Sequence, residues 1–256
     1  MLDDFTPIIH RLAGRTIRIW AIADVHIGAR EADIKGFKKF LEERVIPDPD
    51  AFIVICGDLI NNGLRSSSCP TNVYHETMSP RSQIEYAAEL LGPVADKILG
   101  CVGGNHEHRS VRAVDYDPLF QVMTLIGKPE LYRSNFAFVR IELKNGRTRN
   151  IYALMLVHGK TMNKQKWFSY SIEGIDAIIG GHLHQGNVAK NGKLVFTTSN
   201  NVKIKPFINM TATSWLKFGG YAARELMMPS ATSNPQCLVL EFANTNSRRG
   251  KISVSW

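Results

Sequence analysis

The sequence predicts an α/β protein, a layered sandwich in which helices cover β-sheet on both sides. Three observations predict it. Short apolar runs of buried-strand type alternate with amphipathic segments through the first half of the chain. The second half is a succession of strand-like runs, opened by a hairpin signal at Lys144-Asn145-Gly146-Arg147. Several apolar runs end in acid, amide or imidazole side chains, the place where open α/β sheets carry their sites.

Taken in order, residues 1–15 read as a short lead-in. Residues 16–23 (TIRIWAIA) are apolar on both faces at their end, as a buried strand is, and lead into Asp24-Val25-His26-Ile27-Gly28. Residues 31–46 read as an amphipathic helix with Ile34, Phe37, Phe40, Leu41 and Val45 on one face and Lys38, Lys39, Glu42 and Glu43 on the other; Pro47 and Pro49 stop it. Residues 51–56 form a second buried strand, followed by Gly57-Asp58. Residues 59–79 show no periodicity, and a loop of that length in a compact domain serves a function or moves. Pro80 opens a helix through Ile84, Ala87, Ala88 and Leu91, interrupted at Gly92-Pro93. A third strand over 98–102 delivers Gly103-Gly104-Asn105-His106-Glu107-His108-Arg109, and 109–131 is helical in part.

Residues 136–143 and 148–157 pair as the hairpin, whose second strand ends in His158-Gly159-Lys160. A helix is expected over 164–173. A short strand over 175–179 ends in Gly180-Gly181-His182-Leu183-His184. A second hairpin is expected around Asn191-Gly192, then strands near 202–212, 237–242 and 251–254. There is no internal repeat and no linker, so one domain is expected over 1–256.

A chain of 256 residues with 44% hydrophobic content can bury a large core. The net charge of +8 favours polyanionic partners such as nucleic acids or nucleotides, and fits a generically basic soluble protein equally well. Cys56, Cys69, Cys101 and Cys237 form no C-x-x-C pair, and Cys56 and Cys101 lie in apolar runs. This is no disulfide framework, which points to a reducing compartment. The acidic N-terminus lacks a signal-type apolar stretch and no run reaches membrane-spanning length, so a cytoplasmic protein without membrane contact is expected.

The chemistry gathers where the apolar runs end: Asp24 with His26, Asp58, Asn105 with His106, His158, and His182 with His184. Of the 8 histidines, only His10 and His75 lie away from these motifs. In D-x-H and H-x-H, two residues apart on extended backbone, both side chains point the same way. The set contains no thiolate, and oxygen with imidazole suits manganese, iron or zinc. It is too large for one tetrahedral ion and suits two ions sharing a carboxylate. Such a pair outweighs the charge of Asp24, Asp58 and a bridging hydroxide, and would hold a phosphate oxygen.

In order, D-x-H, G-D, G-N-H-E, H and G-H-x-H resemble the motif series of the calcineurin-like metallophosphoesterase superfamily. The resemblance spans Asp24 to His184. It implies a four-layer αββα sandwich of two mixed β-sheets flanked by helices. It implies two divalent ions, manganese first, with iron, zinc or nickel as alternatives. One would be held by Asp24, His26, Asp58 and His184, the other by Asp58, Asn105, His158 and His182, with Asp58 bridging. By the same resemblance His106 contacts the scissile phosphate and protonates the leaving oxygen, and Glu107 orients an imidazole.

Gly-Asn-His-Glu followed by Arg resembles the Ser/Thr phosphoprotein phosphatases, but those carry G-D-x-x-D-R-G where this chain has Gly57-Asp58-Leu59-Ile60-Asn61-Asn62-Gly63. The arginine that would grip a monoester's extra charge is missing. Ala23-Asp24-Val25-His26-Ile27-Gly28 looks more like the repair exonucleases and other phosphodiesterases, and the wider sequence is similar to phosphoesterases often carried by bacteriophages. The expected activity is hydrolysis of a phosphodiester in nucleic acid, DNA or RNA, or in a nucleotide, by a metal-bridging hydroxide. A phosphomonoesterase, including a phosphoprotein phosphatase, is the alternative, and a non-catalytic binding protein on the same fold is a third. Arg109, Arg30 and Lys160 stand close enough to the motifs to touch substrate, although Arg109 could instead cap the next helix. His108 reads as a histidine at the surface or one that supports a ligand from behind, rather than as a ligand. Lys164-Gln165-Lys166-Trp167-Phe168, and Lys203, Lys205, Trp215 and Lys217, mix bases with aromatics as a nucleic-acid stacking surface does, or as an amphipathic helix with a buried ring does.

Overall fold

The computed structural model describes residues 4–66, 70–159, 172–196, 201–217, 235–243 and 250–255. In chain order the strands are β1 (Ile8–Ala13), β2 (Thr16–Ile22), β3 (Ala51–Cys56), β4 (Ile98–Val102), β5 (Tyr132–Arg133), β6 (Phe136–Asn145), β7 (Thr148–Val157), β8 (Ala177–Gly180), β9 (Asn187–Phe196), β10 (Val202–Thr211), β11 (Cys237–Glu241) and β12 (Lys251–Ser255). They form two mixed six-stranded sheets, ordered β12-β11-β2-β3-β4-β5 and β1-β6-β7-β8-β10-β9. In the first, β2 to β5 run parallel and β11 pairs antiparallel with β2. The second combines the antiparallel β6–β7 and β9–β10 pairs with parallel pairing of β1 to β6 and of β8 to β7 and β10.

The apolar runs read as buried strands are buried: in β3 and β4 only Phe52 is partly exposed. The two sheets pack face to face closely enough that a Cβ on Gly100 of β4 would lie 2.9 Å from Leu156 and 3.0 Å from Val139 of the second sheet. Helices α1 (Ile34–Phe40), α2 (Pro80–Leu91), α3 (Glu107–Val114) and α4 (Pro118–Leu125) flank the sheets. Phe40 of α1 stacks edge-on against Trp20 of β2 at 5.3 Å. The starts of α1, α2 and α4 are capped as their sequence dictates, whereas α3 has no side-chain cap. The Asp33 carboxylate accepts from Gly36 N, Ser79 Oγ from Ser82 N, and the Asp117 carboxylate from Leu119 N and Phe120 N, with Pro80 and Pro118 opening α2 and α4.

Three expectations are corrected. The lead-in carries strand β1, an edge strand whose IIHRLA run alternates burial and pairs parallel with β6. Six residues with polar members give a weak pattern until a partner supplies the hydrogen bonds. The helix expected over 31–46 is α1 followed by a wider π-type turn over Leu41–Val45, closed by Ile46 N donating to Leu41 O. Asn191-Gly192 is not a turn but the middle of β9, where Gly192 pairs with Pro206. A Cβ at Gly192 would meet Ile204 at 2.7 Å, so the glycine serves cross-strand packing. The segment expected to be helical over 164–173 lies mostly outside the described residues.

The start of β2 is tied to the loop before β3 by a bidentate pair, Arg18 Nη2 to Asp48 Oδ1 at 2.7 Å and Nε to Oδ2 at 2.5 Å. The Arg18 hydrogen bond holds the Asp48 carboxyl below its usual range. A carboxyl depressed by folding contributes stability above its unfolded pKa and loses it as pH falls through the folded one. Arg18→Gln is therefore expected to cost about 0.5–1 kcal/mol at pH 7. The deficit should close below about pH 4, as thermal melts of both proteins across pH would show.

Candidate metal centre

The loops after β2 and β3 continue side by side beyond the sheet. Asp24 N donates to Gly57 O (3.1 Å), His26 N to Asp58 O (3.0 Å) and Ile27 N to Leu59 O (2.9 Å). The ligand-type residues sit on them in left-handed backbone: φ is 52° at Asp24, 51° at His26, 51° at Asp58, 72° at His182 and 57° at His184. Side chains other than glycine seldom take this region, and asparagine, aspartate and histidine take it most readily. The D-x-H and H-x-H pairs do address one site, but from kinked rather than extended backbone.

Two groups of donors result. In one, His184 Nε2 is 3.5 Å and His26 Nε2 3.9 Å from Asp24 Oδ1, and the two imidazole nitrogens are 3.3 Å apart. In the other, His158 Nε2 is 3.3 Å from Asp58 Oδ2, while Asn105 Oδ1 lies 2.9 Å from both His158 Nε2 and His182 Nδ1. Asp58 Oδ2 also faces His26 Nε2 at 4.0 Å, so it stands between the groups. Asp24, His26 and His184, and Asp58, His158 and His182, each present ligand atoms within 4.8 Å of one another.

Each carboxylate has one oxygen fixed and one aimed into this space. Asp24 Oδ2 accepts from His182 N (2.8 Å) and Asp58 Oδ1 from His106 N (2.8 Å). Among the described residues, Asp24 Oδ1, fully buried, has no hydrogen-bond partner, and neither has His26 Nδ1. A buried carboxylate oxygen without a donor is costly unless a cation meets it. With its oxygen and imidazole donors and no thiolate, the cluster fits divalent metal.

The scaffold holds these groups by close approach. Glu107 accepts from Asp58 N (2.9 Å), Gly104 N (2.9 Å) and Ile60 N (3.1 Å), so it fixes backbone amides rather than the imidazole expected of it. A Cβ on Gly104 would stand 2.2 Å from Asp58 Oδ1. His158 Nδ1 donates to Cys56 O (2.8 Å), which turns Nε2 toward Asp58.

Burial pushes the Asp58 carboxyl up, but the His158, His106 and His26 imidazoles outweigh it and hold it well below the usual range. Burial lowers His158 too, and the Asp58 and Asp24 carboxylates more than reverse that, to about 10. His106 is pushed down to about 4, by burial first and then by the Arg109 charge, against the pull of Asp58. Burial and then Asp58 raise Glu107 to about 7, opposed by the Ile60 and Gly104 amides.

His106 lies beside both groups, its Nε2 3.8 Å from Asp58 Oδ2. Its tautomer follows from its partners. Nδ1 faces the Asn61 carbonyl at 2.6 Å, a pure acceptor, and Nε2 faces Arg109 Nη2 at 2.9 Å, a pure donor. Nδ1 therefore carries the hydrogen. Arg109 is buried, its Nη1 donating to Asn61 O (3.0 Å). Arg30 is exposed, and among the described residues no hydrogen bond or ion pair joins it to the cluster. Lys160 and the 164–168 stretch lie outside the described residues. Trp215 is buried against Phe37 and Phe40 and offers no stacking face; Lys217 pairs with Asp33 at 3.3 Å. His108 Nε2 donates to Ser134 O (3.0 Å) and is turned away.

Sequence reasoning passed over Asn61, Asn62, Glu76 and Gln83. Asn62 is fully buried at φ 44° and donates to His106 O (2.7 Å). The signal available was Asn61-Asn62-Gly63 directly after a ligand-bearing strand end, since asparagine tolerates left-handed backbone.

The calcineurin-like phosphoesterase family model matches residues 17–186. The chain belongs to this family and is a metal-dependent phosphoester hydrolase. Similar solved structures include the calcineurin-like phosphoesterase YfkN from Bacillus subtilis (14% identity, 94% of this chain and 90% of that one, TM-score 0.45). Others are a metallophosphoesterase from Sphaerobacter thermophilus (14%, 88% and 84%, 0.42) and the nuclease MPE of Pseudomonas putida (15%, 86% and 83%, 0.32). No curated protein matches the chain.

Because Gly104 has no room for a side chain, Gly104→Ala is expected to displace Asp58 and weaken Mn²⁺ binding at least tenfold, measured by isothermal titration against the wild type.

Proposed function

We propose that this chain is a dinuclear phosphodiesterase whose substrate is nucleic acid or a nucleotide. The observation that carries the dinuclear reading is the position of Asp58 Oδ2, the free oxygen of a carboxylate standing between two donor groups. Asp24, His26, Asp58 and His184 would hold one ion, and Asp58, Asn105, His158 and His182 the other. When bound, the two ions supply Lewis acidity at phosphorus and a nucleophile at neutral pH. Manganese suits the mixed oxygen and imidazole set, with iron, zinc and nickel as alternatives.

The chain's own residues supply the rest. Burial keeps the ligand carboxylates and imidazoles out of competing hydrogen bonds with water. His106 Nε2 and the Arg109 guanidinium, 2.9 Å apart, would meet the same phosphate. A phosphate anion there favours protonation at Nε2, because Nδ1–H is already committed to Asn61 O. That proton requires Arg109 Nη2 to turn from Nε2 to the phosphate; the Nε2–H so formed would then serve the leaving oxygen.

A diester is favoured over a monoester because Asn61-Asn62-Gly63 adds no second cation beside Arg109 for the extra charge of a dianionic phosphate. The charge of +8 suits a polyanion. With Mn²⁺ present, bis-p-nitrophenyl phosphate is expected to be cleaved faster than p-nitrophenyl phosphate, and His106→Ala to lower diester kcat roughly 10²–10⁴-fold while metal content is unchanged. Faster monoester cleavage would turn the reading to a phosphatase.

A further inference from the structure

Glu76 lies in the aperiodic 59–79 stretch, well away in sequence from every metal-type ligand. Its half-buried carboxylate is nevertheless the hub of the turn beside His106. Oε1 accepts from Asn61 Nδ2 (2.8 Å) and from Gly63 N (2.8 Å), and Oε2 accepts from Gln83 Nε2 (2.5 Å). Gln83, fully buried, accepts from Asn62 N at 2.9 Å through its own oxygen. Every residue of the 61–63 turn is thus tied to Glu76 directly or through Gln83. A Cβ on Gly63 would stand 2.2 Å from Glu76 Oε1, so the approach needs glycine there.

Glu76 is itself anchored. It bridges antiparallel to Ala29, and the next residue, Thr77, donates to Gly28 O through both N (2.8 Å) and Oγ1 (3.0 Å). The carboxylate is therefore fixed to the segment that follows His26. What the turn offers in return is one carbonyl, Asn61 O, which accepts from His106 Nδ1 at 2.6 Å and from Arg109 Nη1 at 3.0 Å. A single carbonyl so shared sets the ring plane and tautomer of His106 and the direction of Arg109 together.

We propose that Glu76 is a positioning residue for phosphoester hydrolysis: it holds the 61–63 turn so that the Asn61 carbonyl keeps His106 Nε2 and the Arg109 guanidinium side by side at the scissile phosphate. The proposal rests on the role given to His106 above. The side-chain partners of Glu76 are Asn61, Gly63 and Gln83 and include no metal-type ligand, so its removal acts on turnover and leaves metal affinity alone. Glu76→Gln keeps an acceptor for Asn61 and Gly63 but turns an amide toward the Gln83 amide; Gln83→Glu restores an acceptor there, at the cost of the hydrogen bond that Gln83 Nε2 also donates to Met78 O (3.0 Å).

The test uses the full chain in Mn²⁺ with bis-p-nitrophenyl phosphate and the variants Glu76→Ala, Glu76→Gln, Glu76→Gln with Gln83→Glu, His106→Ala, and Glu76→Ala with His106→Ala. Glu76→Ala is expected to lower kcat roughly 10–100-fold, with KM and bound Mn²⁺ within about twofold of the wild type. The exchanged pair Glu76→Gln with Gln83→Glu should recover much of the kcat lost in Glu76→Gln alone, short of the wild type because Met78 O loses its donor, and this arm decides the matter even if Glu76→Ala does not fold. On the His106→Ala background Glu76→Ala should cost clearly less than on the wild type, since only its hold on Arg109 remains. A Glu76→Ala enzyme with wild-type kcat beside an impaired His106→Ala enzyme would overturn the positioning role alone. Multiplicative losses in the double variant, or no recovery in the exchanged pair, would do the same. A fully active His106→Ala enzyme would remove the His106 reading and this role with it.

Discussion

The constraint on which this structure depends is a pair of buried carboxylate oxygens that no donor among the described residues satisfies well. Among those residues Asp24 Oδ1 has no hydrogen-bond partner, and Asp58 Oδ2 sees imidazole nitrogens no closer than 3.3 Å. The second oxygen of each is locked to a backbone amide, so neither carboxylate can turn away. Anionic oxygens held in a water-poor space are expensive unless cations meet them. The ring of imidazoles spreads the problem, because His158 can be charged only at the expense of its role as a neutral donor. Divalent metal resolves both sides at once.

The rest of the fold serves that arrangement. Parallel strands β2, β3 and β4 end together, and the loops beyond β2 and β3 keep pairing for several residues. This brings Asp24, His26 and Asp58 to one rim, which β7 and β8 complete with His158, His182 and His184. Left-handed backbone at Asp24, His26, Asp58, His182 and His184 aims the side chains inward, at a local cost that tertiary packing must offset. Glu107 is the principal clamp, since one carboxylate takes the amides on both sides of the β3–β4 junction. The 61–63 turn forms a further layer, which holds the groups beside the metal cluster rather than the cluster itself.

Much of this was legible in the sequence because the information is local. Apolar runs ending in D-x-H, G-D, G-N-H-E, H and G-H-x-H mark strand ends and donor types without reference to anything distant. Where the determinants are non-local, the sequence misled. Strand β1 exists because β6 supplies its hydrogen bonds. Asn191-Gly192 has the composition of a turn, but Ile204 from the neighbouring strand needs the glycine's space. Glu107 sits next to a histidine and was expected to orient one, yet the amides of Asp58 and Ile60 reach it first. Trp215 reads as a stacking ring until Phe37 and Phe40 are brought against it. Glu76 shows no motif, because its partners come from the turn at 61–63 and from α2.

The central claim is that the buried donors are built around two cations, and it is tested most directly on protein stripped with chelator and titrated with Mn²⁺, following stoichiometry by calorimetry and stability by thermal melting. Saturation at two ions per chain is predicted. At free Mn²⁺ about 100 times the dissociation constant, each site should add about 2.7 kcal/mol, a rise in Tm of about 5–10 °C. Saturation at one ion, or unchanged melting in the presence of metal, would contradict it.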